Sequence, residues 1–535
     1  MTGANPRGLS PNFSTRRSVR KPAVRSAGGI VVSQNRAASE IGARVLAQGG
    51  HAVDAAVATS FAMGVLEPWM SGVGGLGAML VRSAADDKVT VVDFGGRSPM
   101  RLDPRDYPIV EGPDSDLFGW PRVKDDRNLI GPRAIVAPTL VAGIAQAHEL
   151  FGRKYWRDLV APAADMAAQG PVVDWHSCLI IATAFADLAK DPGARGVFMP
   201  AGVPPLPPPA SVANSVLRLP NKALAKTLSV LAEEGPDAFY HGEIGRALRV
   251  DLRDADAILS MHDFAACESR VIAARTVKRR GQTIHVLPVL SGGPTLIDAF
   301  DAMETAWPGG HAGPALGPEA FTAIATSLRR AWEKRFDAMG DTATTAPQGS
   351  TTHISVVDRD GNMVALTQTL LSLFGSRYMS PSTGILMNNA INWFDPRPGG
   401  PNSLGPAKRV LANYCPAIML GPAAAVAIGG CGGRKIIPAV FQLLAMLAEG
   451  HSLDDAFHAP RIDVSGGDTI VVDRDLPHEV RAALGTQFKT VEVERAVYPY
   501  HFTIAGAVRR QGTVNEGATE PHQPWSEAVS EEEVA

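Results

Sequence analysis

The sequence predicts an α/β layered protein, and three observations carry that expectation. Helical periodicity dominates the first part of the chain, β-rich runs fill its C-terminal third, and the character changes abruptly near residue 350. From the start, residues 29–33 form a short apolar strand candidate. Residues 37–47 carry helical spacing through Ile41, Val45 and Leu46 and stop at Gly49-Gly50. Residues 52–65 are apolar almost all round, which predicts a buried helix ended by Pro68. A glycine-rich loop follows, then strands 78–82 and 89–94 turned at 84–88.

The middle third predicts helices over 139–151, 156–168, 222–234 and 315–336, with a Pro-rich surface loop at 204–209. Residues 337–350, DAMGDTATTAPQGS, have no apolar periodicity and predict an exposed linker. Two β-rich runs follow at once, 353–358 and 362–369, joined by Arg359-Asp360-Gly361. Residues 384–387 are strand-like, and 425–428 predict an apolar strand running into GGCGG and a helix from Ile436.

Composition narrows the function classes. The chain has 535 residues, 45% hydrophobic and 20% charged, with a formal net charge of −3, so no global field invites nucleic acid or an anionic membrane. A basic stretch, 16–25, falls in an N-terminal arm (1–27) expected to be flexible and solvated. Cys178, Cys267, Cys415 and Cys431 are too scattered for a disulfide framework. Neither CxxC nor HExxH occurs, so neither metal nor cofactor is expected. Residues 1–26 lack the apolar core of a signal peptide, and the longest apolar run, 436–448, is too short to span a bilayer. A cytoplasmic location is the default expectation.

The motifs are read against their plain alternatives. Gly72, Gly74 and Gly77 spell GxGxxG, but after a helix and before a strand, the reverse of a dinucleotide site. Thr351-Thr352-His353 opens a strand. Freed as a chain terminus, Thr351 would gain an α-amine of pKa about 7.7–8.0, suited to take its own hydroxyl proton; otherwise it is a polar strand edge. Consecutive glycines at 429–433 either aim N–H groups at an oxyanion or make a tight strand-to-helix turn. Asn388-Asn389 either orient a substrate or satisfy a buried loop, and His353 alone reads as a packed histidine.

Taken together, five ordered blocks resemble the γ-glutamyltranspeptidase family over roughly residues 28–472. They are AASEIGARVLAQGGHAVDAAVATSFAMGVLEPWMSGVGGLGAMLV (37–81), TTHISVVDRDGNMVALTQT (351–369), GILMNN (384–389), PAKRVL (406–411) and GGCGGRKI (429–436). The resemblance implies a four-layer αββα N-terminal-nucleophile hydrolase sandwich, formed by a precursor that cuts the Ser350–Thr351 bond. The large subunit region would then be 28–350 and the small one 351–535. It further implies Thr351 as nucleophile, Thr369 positioning it, and Gly432 and Gly433 as the oxyanion hole. The partners implied are a small amide, water or an amine acceptor, and the two fragments held together, with a homodimer of heterodimers as one assembly.

The departures fall on substrate recognition. DFGGR places Gly95 where glutamate-specific members carry an arginine, with Arg97 two residues on, and Ala412-Asn413 replaces a serine pair. Leu371, Ala390 and Trp393 stand where α-amino ligands are expected. The resemblance therefore implies an amidohydrolase with an altered acyl pocket, with Arg97, Asn389, Trp393 and Asn413 as candidate substrate contacts. An ordinary γ-glutamyl transferase using Arg97 and Asn413 is the rival within the class. An unprocessed, non-catalytic binding or scaffold homologue is the rival outside it.

Overall fold

The computed structural model describes residues 18–112, 118–207, 216–288, 290–308, 316–339 and 350–535. Two seven-stranded antiparallel sheets face each other. In order across the first lie β17 (Glu527–Ser530), β2 (Ile30–Ser33), β8 (Ser350–Val357), β9 (Met363–Leu371), β3 (Leu76–Arg82), β4 (Val89–Phe94) and β5 (Arg270–Ala273). The second runs β1 (Val24–Ser26), β16 (Val514–Thr519), β15 (Ile504–Gln511), β11 (Ala425–Cys431), β10 (Ala417–Leu420), β7 (Gln282–Val286) and β6 (Arg275–Arg279). A small third sheet holds β12 (Ile462–Asp463), β13 (Thr469–Asp473) and β14 (Lys489–Val493).

Period-two alternation assigns each strand residue to a layer. Ile30 and Val32 of β2 join Ala425 and Ala427 of β11 in the core between the sheets. Val31, Ile354 and Val356 point the other way, onto helices Ala52–Leu66 and Leu140–Phe151. Val426 and Ile428 point outward on the second sheet, against helices Gly293–Ala306, Pro318–Met339 and Ile436–Ala448. The layers are thus helix, sheet, sheet, helix, as expected. Helix Ala52–Leu66 is apolar on every face because it lies between its own sheet and helices Arg36–Ala47 and Trp156–Gln169.

Several boundaries differ from expectation. Residues 24–26, inside the expected arm, pair with β16 as an edge strand, and Lys21 Nζ donates to Ser526 O at 2.6 Å. Backbone pairing outweighs the basic composition there; residues 1–17 lie outside the described residues. The expected linker is shorter than its polarity suggested. Helix Pro318–Met339 runs through 337–339, and Ser350 already belongs to β8, so 340–349 lie outside the described residues. Residues 384–387 form no ladder strand; they make only the isolated bridges Met379↔Leu386 and Gly74↔Met387.

Candidate active site

Thr351 is the second residue of β8, in the middle of the first sheet, at an irregularity in the ladder. Ser350 pairs with Leu371 and Thr352 with Gln368, so Thr369 and Leu370 together oppose Thr351. Such a bulge re-aims a side chain at a strand end. Thr369 is therefore across the ladder from Thr351. Its Oγ1 also accepts from Leu371 N at 2.8 Å, bracing Leu371 at φ +83°, a left-handed conformation that a leucine adopts only under constraint.

Across the sandwich, β8 and β11 meet in steps of two. Ser355 Oγ donates to Ala427 O at 3.2 Å. Two residues back, the His353 ring lies so close to Gly429 that a Cβ there would be 2.4 Å from its Cε1. One further step along β11 leads to Cys431 and to the turn after it. Gln34 joins Thr351 to Cys431: its Nε2 donates to Thr351 O at 3.3 Å, and the same amide meets the Cys431 thiol. That turn is built from Gly432 (φ +136°, ψ 26°) and Gly433 (φ +63°), entering a 3-10 turn and then helix Ile436–Ala448. A Cβ on Gly432 would approach nothing closer than Thr503 Oγ1 at 3.5 Å. Conformation rather than space thus requires the glycine. Among the described residues neither glycine N–H has a backbone acceptor. The pair therefore presents two backbone N–H donors at the start of the 3-10 turn that leads into helix Ile436–Ala448.

The titratable groups around Thr351 are held neutral by burial. His353 is engaged at both nitrogens, by Thr367 Oγ1 at 2.9 Å and Ser355 Oγ at 2.8 Å, and burial depresses its pKa to about 3. It is a neutral packed histidine. Burial also pushes the Cys431 thiol far above its ordinary value, so it stays protonated and a poor nucleophile. Glu67, which follows helix Ala52–Leu66, is held up to about 8 by burial and is hydrogen-bonded with Asn35. Among the described residues no group of three or more His, Cys, Asp or Glu side chains gathers to hold a metal.

The substituted positions Leu371, Ala390, Trp393 and Ala412 are all buried. Leu371, Ala390, Trp393, Ala412 and Tyr414 share the apolar core between the sheets, and Trp393 meets Tyr414 edge-on with ring centroids 6.3 Å apart. Gly95 leaves room that Tyr414 and Arg409 take: a Cβ there would lie 3.0 Å from Tyr414 Oη and 3.3 Å from Arg409 Nη2. Arg409 is anchored by Asp93 Oδ2 at 2.6 Å. Arg97 instead points to the surface, its Nη1 3.4 Å from Ala407 O. Asn389 must be corrected as a substrate ligand. Its Oδ1 accepts from Ser372 N at 3.0 Å, and its Nδ2 donates to Leu129 O and Ser372 Oγ, so the loop consumes the amide. Asn413 is better placed, because Arg335 Nη2 donates to its Oδ1 at 3.0 Å. A guanidinium only donates, so the Asn413 NH2 must face away from it.

A family model described as Gamma-glutamyltranspeptidase matches residues 38–348 and 319–530. The chain belongs to the γ-glutamyltranspeptidase family. Glutathione hydrolase 3 of Arabidopsis thaliana is 32% identical over 469 residues, 78% of this chain and 70% of that protein. The Acylase ACY 1 proenzyme of Pseudomonas sp. (strain SE83) is 30% identical over 506 residues, 87% of each. A crystal structure of cephalosporin acylase from Bacillus halodurans superposes with a TM-score of 0.81 over 97% of this chain and 99% of that one, at 22% identity, a likeness of fold. This γ-glutamyltranspeptidase-family chain is an enzyme of the amidohydrolase and acyltransferase class.

The family frame also explains the glycine-rich loop. A Cβ on Gly74 would lie 2.2 Å from Leu386 O, on Gly75 2.5 Å from Thr369 O, and on Gly77 2.2 Å from Thr367 O. Gly75 and Gly77 let the chain press on the backbone of β9, which carries Thr369, and Gly74 lets it press on Leu386. Ser71 ties the same loop to β8 by donating to Thr352 Oγ1 at 2.9 Å. Sequence reasoning missed Gln34, Arg335 and Arg409 as site residues. Only Arg409 carried a signal, since it lies within PAKRVL.

Proposed function

We propose that the chain cuts its own Ser350–Thr351 bond and then cleaves a small amide through an ester on Thr351, with a preference for acyl groups lacking an α-amino group. The observation that supports this reading is Gln34, whose amide touches both Thr351 O and the Cys431 thiol and so links the start of β8 to the residue before the Gly432-Gly433 turn. In maturation, Thr351 Oγ attacks the Ser350 carbonyl carbon and the peptide C–N bond breaks, leaving an ester on Oγ and the α-amine on Thr351. Water hydrolyses that ester and frees residue 350 as a carboxylate. In turnover the amine takes the hydroxyl proton as Oγ attacks the substrate carbonyl, and the oxyanion sits on the two glycine N–H groups. The proton passes to the leaving amine, and water or an acceptor amine then takes the acyl group.

Cleavage would leave one sandwich. β8 from the small fragment lies between β2 of the large fragment and β9, and β9 pairs in turn with β3 of the large fragment. Association of the fragments is part of the proposal, as are a cytoplasmic location and a homodimer of heterodimers.

The substrate preference rests on missing partners. A glutamyl group brings an ammonium and a carboxylate, and leaving one buried charge unpaired costs several kcal/mol, ~10²-fold or more in binding. Leu371, Ala390 and Trp393 offer the ammonium nothing, whereas Arg409 and the Asn413 amide can meet an anionic or carbonyl oxygen. Oxamate-like or glutaryl-like amides fit that pattern. The rival, a glutathione hydrolase, draws on those same two groups and on the Arabidopsis relative's name. Comparing kcat/KM for glutaryl-p-nitroanilide and γ-glutamyl-p-nitroanilide separates them, with ammonia release from oxamate as a third arm. A γ-glutamyl donor better by tenfold or more ends the altered-pocket reading and leaves the hydrolase.

A further inference from the structure

We infer that Gln34 is a positioning residue for catalysis, its side-chain oxygen receiving the α-amine that chain cleavage creates on Thr351. The inference rests on the self-cleavage reading above. Gln34 directly follows β2, the neighbour of β8, and only 3% of it is exposed. Its Nε2 donates to Thr351 O at 3.3 Å, and the same amide meets the Cys431 thiol. A carbonyl oxygen accepts only, so the NH2 end of Gln34 must be the end turned toward it, and the amide orientation follows from chemistry. That leaves Oε1 on the other arm. Oε1 is buried and, among the described residues, has no hydrogen-bond partner. Buried polar atoms are ordinarily satisfied, and an exception asks for a reason.

Cleavage supplies one. Before it, Thr351 N is a peptide amide with a single hydrogen. After it, the same nitrogen is an amine with additional N–H bonds, on the residue whose carbonyl Gln34 already holds. One side-chain amide would then bracket the terminal residue, NH2 to its carbonyl and Oε1 to its amine. This aims the amine's lone pair at the Thr351 hydroxyl. The other titratable groups nearby are Glu67, Cys431 and Tyr500, each shifted upward by burial and therefore neutral through mildly acidic pH. His353, two residues along β8, is also neutral there.

The test is the acid limb of the kcat/KM–pH profile in processed enzyme, where the terminal ammonium must lose its proton to act as base. An oxygen accepting from the ammonium favours the charged form and raises its pKa. Gln34→Met, which removes the acceptor at similar length, should move the limb to lower pH and lower kcat by about tenfold. Gln34→Glu places a carboxylate there and should move it to higher pH by ~1 unit or more. Glu67→Gln is the control and should leave the limb in place. Opposite displacements support the inference. Limbs that coincide with wild type in folded, processed variants overturn it while leaving self-cleavage intact. A wild type that never cleaves has no amine and overturns both readings. Should Gln34→Met stay unprocessed, the Gln34→Glu limb decides alone.

Discussion

Replacing Gly432 by alanine separates a conformational from a catalytic role at the glycine turn. The new Cβ meets open space, with Thr503 Oγ1 at 3.5 Å its nearest neighbour, so no steric term arises. The cost is backbone alone: at φ +136°, ψ 26° an L-residue is strained by ~1–3 kcal/mol. Alanine can relieve that strain by turning the peptide plane, which carries the N–H off its target. Losing one oxyanion donor lowers kcat by about 10²–10³-fold. The variant should therefore melt only slightly below wild type, stay processed or process slowly, and lose at least ~10²-fold in single-turnover acylation. Thermal melts and stopped-flow release of p-nitroaniline measure the two effects. A folded Gly432→Ala enzyme acylating at the wild-type rate would remove this turn from the mechanism.

Two further outcomes follow from buried groups. Glu67 is raised from 4.5 to about 8 by burial, so its contribution to stability is full below pH 4.5 and is lost as pH rises through about 8. At ~1.4 kcal/mol per unit this is roughly 4–5 kcal/mol at most, so in denaturant melts the stability of wild type minus that of Glu67→Gln should fall as pH rises from 5 to 9. Asn413→Leu should raise KM for an anionic acyl donor by ~10-fold while sparing self-cleavage, since it removes a donor and strands one Arg335 N–H; an unchanged KM would take Asn413 out of the acyl pocket.

The layers were legible because periodicity reports burial directly. Helices 222–234 and 436–448 appear with the bounds their apolar spacing predicts, and the all-apolar helix at 52 is buried on every face. Thr351 and the glycine turn stand in short ordered blocks, which is what let roles be proposed for them. Illegible were contacts fixed only by the tertiary path. Arg335 reaches Asn413 from helix Pro318–Met339, and Gln34 reaches Thr351 across adjacent strands, at separations no local pattern encodes. Asn389 misled for a related reason: its residue type suits a ligand, but the loop around Ser372 and Leu129 takes every polar atom it has. Arg97 misled because distance along the chain from Gly95 says nothing about direction. Arg97 is exposed and reaches Ala407 O, while Arg409 lies against the Gly95 position.

Self-cleavage is the central claim, and the mass and N-terminal sequence of the purified protein test it most directly. The account predicts two fragments that co-purify, the smaller beginning at Thr351, and a Thr351→Ala protein that stays whole and inactive. A wild-type chain that remains a single polypeptide while turning over amides would contradict it.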